Sequence, residues 1–277
     1  MKYLTFFGMA LIFAFVVAAA PQAPSPVQNG ASVAAAPPAQ TPLQIAETRA
    51  QILMVHKDYA AALAAYHQIL LQNPKNAQAL NQTGIAHQEL DELDRAEHFY
   101  KLAARADKTF SSPVSNLGTV EYEQQNYGSA ISYYKKAISI ATATPRLDMD
   151  LDTLYMNLGY AYFADKQYSQ AADSFSRALA LNPHAFATGG QGGATLEERS
   201  TQDPGLFFFT VAKIYAKKGD AEHAAHYLKI ARDDGYEKFR SAVTDPDFAS
   251  VINDPRVQEV LTIPPSYAPR TENTSSP

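Results

Sequence analysis

The stretch YMNLGYAYFADKQYSQAADSFSRALALNP, residues 155–183, decides the fold of this 277-residue chain. Two small residues in it, Gly159 and Ala171, stand 12 positions apart, and the bulky Phe175 follows four positions later. Two antiparallel helices joined by a short turn approach closely only where both lack bulk, so we expect Gly159 and Ala171 to face each other. Pro183 lacks a backbone N–H and ends a helix. The stretch therefore predicts a tightly packed pair of helices.

The same spacing occurs five times along the chain. Each unit has two small residues 12 positions apart and a bulky residue four positions after the second, which we expect to fill the space towards the next unit. The units are Ala50, Ala62 and Tyr66; Gly84, Ala96 and Tyr100; Gly118, Ala130 and Tyr134; Gly159, Ala171 and Phe175; and Ala212, Ala224 and Leu228. Recurrence at a fixed period predicts helix pairs stacked into a solenoid.

The period changes twice. The first three units follow one another at 34 residues, whereas the fourth and fifth follow at 41 and 53. Seven residues are therefore inserted near 145–151, and nineteen before the fifth unit, including the glycine-rich run at 189–193. The segment Asp203-Pro204-Gly205 after this run is typical of a helix start.

This pattern resembles the tetratricopeptide repeat over residues 43–238, and Tyr155, Gly159, Tyr162, Ala171 and Phe175 follow the family's spacing best. The resemblance implies an all-α fold, a right-handed superhelical solenoid of antiparallel helix pairs. The five pairs are expected at about residues 43–76, 77–110, 111–144, 152–185 and 205–238.

Two Asp-Pro segments follow the last repeat, at Asp245-Pro246 and Asp254-Pro255. An acid that caps a helix followed by a proline in its first turn predicts a helix start at each. We expect residues 239–262 to form short helices that cover the exposed edge of the last repeat, because solenoids need such a cap for solubility. Residues 263–277 are expected to be a flexible tail.

The N-terminus has the pattern of an export signal. Lys2 precedes an apolar run that reaches small residues at Ala18 and Ala19, so residues 1–19 are predicted to be a cleaved signal peptide. Residues 20–42 follow as a linker with six prolines and no charge. The expected location is periplasmic or secreted. The alternative is an uncleaved signal anchor in the inner membrane, because the apolar run is close to membrane-spanning length.

Composition excludes several classes of chemistry. The net charge of −5 argues against a phosphate-binding surface, so no nucleic-acid partner is expected. The chain has no cysteine, which removes disulfides, thiolate metal sites and cysteine nucleophiles. His223 and His226 could touch one metal ion, but they lack a third ligand nearby and more simply form a solvated helix face. No hydrolase or nucleotide-binding motif is present. We expect no catalytic activity, cofactor or metal.

The family resemblance implies a concave groove lined by the first helix of each pair. Asn116 and Asn157 occupy the position where family members use asparagine to hold a ligand's backbone, and an amide both donates and accepts. Tyr160 and Phe163 either supply apolar contact to a ligand or pack between neighbouring repeats. The expected binding residues are Asn81, Gln88, Asn116, Thr119, Tyr122, Met156, Asn157, Tyr160, Phe163, Phe209 and Lys213.

The sequence thus predicts a non-catalytic adaptor or assembly factor that binds a protein or an extended peptide segment. A self-assembling scaffold, a homo-oligomer formed through repeat edges, is the alternative. A hydrolase of the cell wall or of peptides is less favoured, because the catalytic residues that it would need are not apparent.

The export signal gives the first testable prediction. If the signal is cleaved after Ala19, the mature protein recovered from an expressing bacterium begins at Ala20 or within a few residues of it. Intact-mass spectrometry of the extracytoplasmic fraction measures this directly. A membrane-bound species that retains Met1 would instead establish the anchor.

Overall fold

The computed structural model describes residues 41–144, 150–186 and 203–263. The predicted signal peptide, the linker up to residue 40, most of the first insertion, the glycine-rich run and the tail beyond residue 263 lie outside these ranges. Within them, no residue is in a β-strand. No helix in this part of the chain has the length and apolar character needed to cross a bilayer.

Within the described ranges, five pairs of α-helices follow one another. In order, the helices are α1 Pro42–Val55, α2 Tyr59–Gln72, α3 Ala77–Glu89, α4 Leu93–Ala106, α5 Ser111–Glu123, α6 Tyr127–Ala143, α7 Leu151–Ala164, α8 Tyr168–Leu181, α9 Pro204–Lys217 and α10 Ala221–Asp233. Each helix packs on the other member of its pair, and each pair packs on the next. The predicted all-α solenoid of helix pairs is confirmed.

A turn of one geometry joins the two helices of every pair. Its central residue has a positive φ, between 60° and 79°, in all five pairs. Only the last turn uses glycine, Gly219, where this backbone conformation carries no steric cost. The next N–H bonds back to a carbonyl five residues earlier, as from Glu92 to His87 and from Gln167 to Tyr162. This Schellman arrangement satisfies carbonyls at the end of each first helix and reverses the chain.

The glycines of the three central pairs make room for an aromatic ring, a contact that the sequence analysis did not predict. A Cβ atom built on Gly84 would lie 2.5 Å from Cε1 of Tyr100, and one on Gly118 would lie 2.9 Å from Cε1 of Tyr134. The nearest atoms to a Cβ on Gly159 belong to Phe175. In these three pairs the bulky residue therefore lies over the glycine of its own pair. It also reaches the next pair as expected, since Tyr100 packs with Leu117 and Val120 of α5 and Phe175 contacts Phe207 of α9.

The fourth and fifth pairs are joined by aromatic packing across the second insertion. The ring of Phe207 in α9 stacks on Tyr160 of α7, with centroids 5.5 Å apart, and meets Phe175 of α8 edge-on at 5.7 Å. Phe186 also contacts Phe207. Such ring pairs contribute beyond the area that they bury. The insertion therefore does not interrupt the hydrophobic core.

The chain after α10 closes the C-terminal edge. Two 3₁₀ helices, Glu237–Val243 and Pro246–Phe248, precede α11, Pro255–Thr262. Both predicted capping acids accept a backbone hydrogen bond, Asp245 from Asp247 N and Asp254 from Arg256 N. Phe248 is fully buried. The buried Arg232 donates to the carbonyl of Val260, which ties α10 to α11.

The packing of ring on glycine predicts the effect of adding one methyl group. Gly84→Ala should lower the free energy of unfolding by about 1–3 kcal/mol, because the buried Tyr100 ring cannot move aside without cost. Gly128→Ala is the matched control, since no atom lies within 4 Å of its Cβ position and alanine is the better helix former by up to about 1 kcal/mol. Chemical denaturation of both variants measures the two effects. Equal stability for both would show that the ring is not held against Gly84.

Candidate functional site

The first helices of the second and third pairs lie side by side, and their polar residues meet. Nδ2 of Asn116 in α5 donates a hydrogen bond to Oδ1 of Asn81 in α3, over 3.1 Å. Asn81 is buried, whereas Asn116 keeps part of its surface open. Asn116, Gln82 of α3 and Asn157 of α7 share one position of the repeat. We call this set of amide residues, one from each of three neighbouring helices, the amide row.

Two other predicted polar residues hold the tyrosines that cover the glycines. Gln88 accepts from the hydroxyl of Tyr100 at 2.7 Å and donates from Nε2 to Glu123 at 2.8 Å. The hydroxyls of Thr119 and Tyr134 lie 3.1 Å apart. Burial and the charge of Glu123 raise the pKa of Tyr100 well above its ordinary value. This phenol therefore stays protonated, and both polar residues link the first-helix surface to the core.

At the next interface, between α5 and α7, the equivalent polar residues form no such hydrogen bond. Asn157 is only 2% exposed, and its Oδ1 has no hydrogen-bond partner. Ser115 of α5 is also buried, and its hydroxyl has no partner either. These two residues occupy the repeat positions that Asn116 and Asn81 occupy one pair earlier. A buried polar group without a partner costs roughly 1–3 kcal/mol, so the α5–α7 interface holds two polar groups at a cost in stability.

The aromatic and apolar residues of the predicted groove belong to the core. Tyr122, Met156, Tyr160 and Phe163 are all buried. Tyr160 and Phe163 contact the ring of Phe207, with centroids 5.5 Å away in each case. Of the two alternatives left open by the sequence, the structure places these rings in the packing between repeats. Tyr160 and Phe163 are buried because α9 places the ring of Phe207 against both of them.

The last two predicted residues lie beneath the C-terminal cap. Phe209 packs against Phe248, with ring centroids 5.9 Å apart. Nζ of Lys213 lies 2.8 Å from Oδ2 of Asp245 and 3.2 Å from Oδ2 of Asp247. Burial alone would lower the pKa of Lys213, but its hydrogen bonds to the two carboxylates outweigh burial and raise it. In the fifth pair, Phe209 and Lys213 therefore contact the cap instead of lining the predicted groove.

Sequence reasoning omitted several residues on the surface that carries the amide row. Gln78 and Glu123 are exposed, and Gln82 and Glu89 are partly exposed. Oε2 of Glu89 accepts a hydrogen bond from the hydroxyl of Tyr59 at 3.2 Å, and burial together with this carboxylate raises the tyrosine pKa to about 12. Gln82 could have been found from the sequence, because it stands 34 residues before Asn116 at the same repeat position.

The two histidines considered as metal ligands have other contacts. Nδ1 of His223 lies 2.8 Å from Oδ2 of Asp220, and the ring stacks on Tyr215. His226 meets the ring of Tyr227 edge-on. Among the residues that the structure describes, no three histidine, aspartate or glutamate side chains are grouped to hold a metal ion.

Comparison with known protein families places repeats in the first four pairs. Two tetratricopeptide-repeat family models match the chain, one over residues 48–109 and the other over residues 111–183. The family resemblance of the sequence is therefore supported from α1 to the end of α8. No curated protein sequence matches the chain.

Solved structures share the fold at low sequence identity. The Pseudomonas aeruginosa PilF structure is 19% identical, with a TM-score of 0.51 over 79% of this chain and 86% of its own. MamA of Desulfovibrio magneticus RS-1 is 16% identical, with a TM-score of 0.47 over 68% of this chain and 92% of its own. YrrB, described as a TPR protein with an unusual peptide-binding site, is 17% identical, with a TM-score of 0.44 over 71% and 88%. The PilF likeness supports the helix-pair fold alone.

The two equivalent asparagines predict opposite effects of one substitution. Asn157→Leu removes a buried oxygen that has no partner, so it should raise the free energy of unfolding by about 1–3 kcal/mol. Asn116→Leu leaves the buried Asn81 without its donor and should lower this free energy by a similar amount. Urea denaturation compares the two variants. A loss of stability in Asn157→Leu would show that its amide is satisfied in solution.

Proposed function

We propose that this chain is a non-catalytic adaptor or assembly factor that binds an extended segment of a partner protein along the first helices of its repeats. Repeat solenoids present an extended surface that no single compact domain offers, and tetratricopeptide-repeat proteins in general act through such surfaces. The repeats matched over residues 48–183 include the amide row. The proposal that the chain is not an enzyme is based on the hydrolase and nucleotide-binding motifs that its sequence lacks.

The unpartnered oxygen of Asn157 is the observation that carries this proposal. Asn116, one repeat earlier, shows that the same position can form a bond between helices. Asn157 forms none, and a nonpolar side chain of similar size would avoid the cost of burying its oxygen. Proteins keep such costly groups where function requires them. Because this oxygen is buried in the free protein, we propose that the α5–α7 contact opens on binding and that a backbone N–H of the bound segment then supplies the donor that the oxygen lacks.

The surface around Asn157 suits a segment in an extended conformation. Extended backbone presents an N–H and a C=O at every residue, and an asparagine or glutamine amide can bond to both. The amide row offers such groups at intervals of one repeat, at Gln82, Asn116 and Asn157. With Tyr160 and Phe163 in the core, we propose that affinity depends on main-chain hydrogen bonds more than on an aromatic pocket.

We propose further that the protein works outside the cytoplasm. The support is the N-terminal sequence, in which a short basic start, an apolar run and small residues up to Ala19 precede an uncharged, proline-containing linker. A linker of this composition would separate the folded repeats from the membrane during export.

Partner capture by matched variants tests the proposed binding surface. The mature protein, Asn157→Leu and Lys136→Ala are immobilised and exposed to the same envelope extract, and the captured proteins are quantified. Lys136 is exposed on α6, a second helix, so it serves as the control. A partner that binds the amide row should bind Asn157→Leu at least tenfold more weakly than the natural protein, a difference of about 1.4 kcal/mol or more. The same partner should bind Lys136→Ala as tightly as the natural protein.

The stability of Asn157→Leu makes this experiment decisive. Because the variant is expected to be at least as stable as the natural protein, reduced capture cannot be attributed to unfolding. Equal capture by the natural protein and Asn157→Leu would remove Asn157 from the binding surface and contradict the proposal.

A further inference from the structure

The charges of the three central pairs are divided between their first and second helices. The first helices α3, α5 and α7 contain four acidic residues and no lysine or arginine. The second helices α4, α6 and α8 contain three acidic residues and six basic ones. The basic residues are Arg95, Lys101, Arg105, Lys135, Lys136 and Arg177. The helices that carry the amide row are therefore the acidic ones.

Two of the four acidic residues lie on the same face as the amide row. Glu89 follows Gln82 by seven positions in α3, and Glu123 follows Asn116 by seven positions in α5. Seven positions are about two helical turns, which returns the chain to the same face about 10 Å further along the axis. Glu89 is partly exposed and Glu123 is exposed. We call these two residues the carboxylate pair.

The other two acidic residues of these helices are directed towards second helices. Oδ2 of Asp152 accepts a hydrogen bond from Nδ2 of Asn182, at the end of α8, over 2.8 Å. Glu121 lies close to Lys101 of α4, since the hydrogen bond of this lysine to Glu97 and the charge of Glu121 both raise the lysine pKa. The carboxylate pair therefore accounts for the acidic character of the amide-row face.

The carboxylate pair converges on one buried phenol. The hydroxyl of Tyr100 donates to Oε1 of Gln88 at 2.7 Å, and Nε2 of the same amide donates to Oε1 of Glu123 at 2.8 Å. Glu89 is the next residue after Gln88 in α3. Burial raises the pKa of Tyr100, and the charges of Glu123 and Glu89 raise it further. Two negative charges that act on one point repel each other, and a cation between them is attracted by both.

Buried polar groups without partners lie in the same helix pairs and point to a hydrogen-bonding ligand independently of the charges. The oxygen of Asn157 is one of them. In the first pair the hydroxyl of Tyr66 has no partner, although the equivalent hydroxyls of Tyr100 and Tyr134 meet polar side chains of their first helices. Tyr66 is only 3% exposed. Phe175 fills the same repeat position without a hydroxyl, so packing does not require this group.

We propose that the segment bound along the first helices is basic, and that two of its lysine or arginine side chains reach the carboxylate pair while its backbone bonds to the amide row. This inference rests on the proposed function and specifies the chemical class of the partner. Packed helices lie about 10 Å apart, a distance that extended backbone covers in about three residues. The two basic residues are therefore expected two to four positions apart. Lysine and arginine serve alike, so main-chain bonds still supply most of the affinity.

Selection from a peptide library tests the charge of the segment. The mature protein is immobilised and exposed to a phage-displayed library of random peptides about 12 residues long, enough to span four helices when extended. Peptides selected by the natural protein should be enriched in lysine and arginine relative to the input library. Peptides selected by Glu89→Gln/Glu123→Gln should lack this enrichment. Asp94→Asn/Asp173→Asn is the matched control, because it removes two exposed carboxylates from second helices and gives the same net charge.

The affinity of one selected peptide gives the size of the effect. Fluorescence anisotropy should show binding about tenfold weaker to Glu89→Gln/Glu123→Gln than to the natural protein or the control. Raising the salt from about 0.05 M to about 0.5 M should weaken binding to the natural protein more than to this variant, because salt screens exposed charges. A peptide with glutamine in place of its basic residues repeats the test without altering the protein. Circular dichroism verifies that both variants keep their helices.

Each contrary result has a distinct meaning. Selected peptides without basic enrichment that fail to bind Asn157→Leu would contradict the basic segment and leave the proposed function standing. Equal basic enrichment with the natural protein and with Glu89→Gln/Glu123→Gln would show that the carboxylate pair does not recognise the charge. If the natural protein selected no peptide above background, both proposals would be wrong.

Discussion

An aromatic ring resting on a backbone that lacks a Cβ atom determines the geometry of the central repeats. Tyr100, Tyr134 and Phe175 each lie where a side chain on Gly84, Gly118 or Gly159 would have to be. The ring fills the space between the two helices of the pair and so sets how closely they approach. Three mid-helix glycines, each costing about 1 kcal/mol relative to alanine, are kept for this contact. The turn between the helices then has to deliver the ring to that position, which explains why all five turns adopt one geometry.

Each repeat buries its apolar faces against its neighbours, so the first and the last repeat each have one face without a neighbouring repeat. The C-terminal end covers this face within the chain, by short helices whose apolar residues pack on the last pair and whose carboxylates pair with Lys213. The N-terminal end has no counterpart in the described residues, and it exposes Ile45 and Ile52 at positions that are buried elsewhere. Among the described residues, the two ends of the array therefore differ in how their apolar faces are covered.

The same helix surfaces serve packing and binding, and the two uses compete. Residues that point from one first helix towards the next become buried when the helices pack closely, as Tyr160 and Phe163 do against Phe207. What remains open on the first helices is mostly polar, with amides at Gln82 and Asn116 and carboxylates at Glu89 and Glu123. Asn157 shares features of both groups. It is buried like the residues that pack between helices, but its side-chain oxygen has no hydrogen-bond partner. A surface of this kind suits recognition of backbone more than of a particular side chain.

The sequence alone determined the fold class, the number of helix pairs and the family resemblance. Small and bulky residues recur at fixed spacing, and a helix converts fixed spacing into a fixed face. The cap was also predicted from the sequence, but from local signals, because Asp245-Pro246 and Asp254-Pro255 are typical of helix starts.

Only the tertiary structure decided which residues on those faces are open. Repeat position gives the direction of a side chain along its own helix, but not the side chain that meets it from another element. Phe207 covers Tyr160, and Asp245 covers Lys213, from segments that lie far away in sequence. The missing partner of Asn157 and the exposure of Ile45 likewise depend on what neighbouring helices do or do not supply. Burial is a property of the assembled array, and for that reason the repeat pattern predicted the helices but not the surface on which they act.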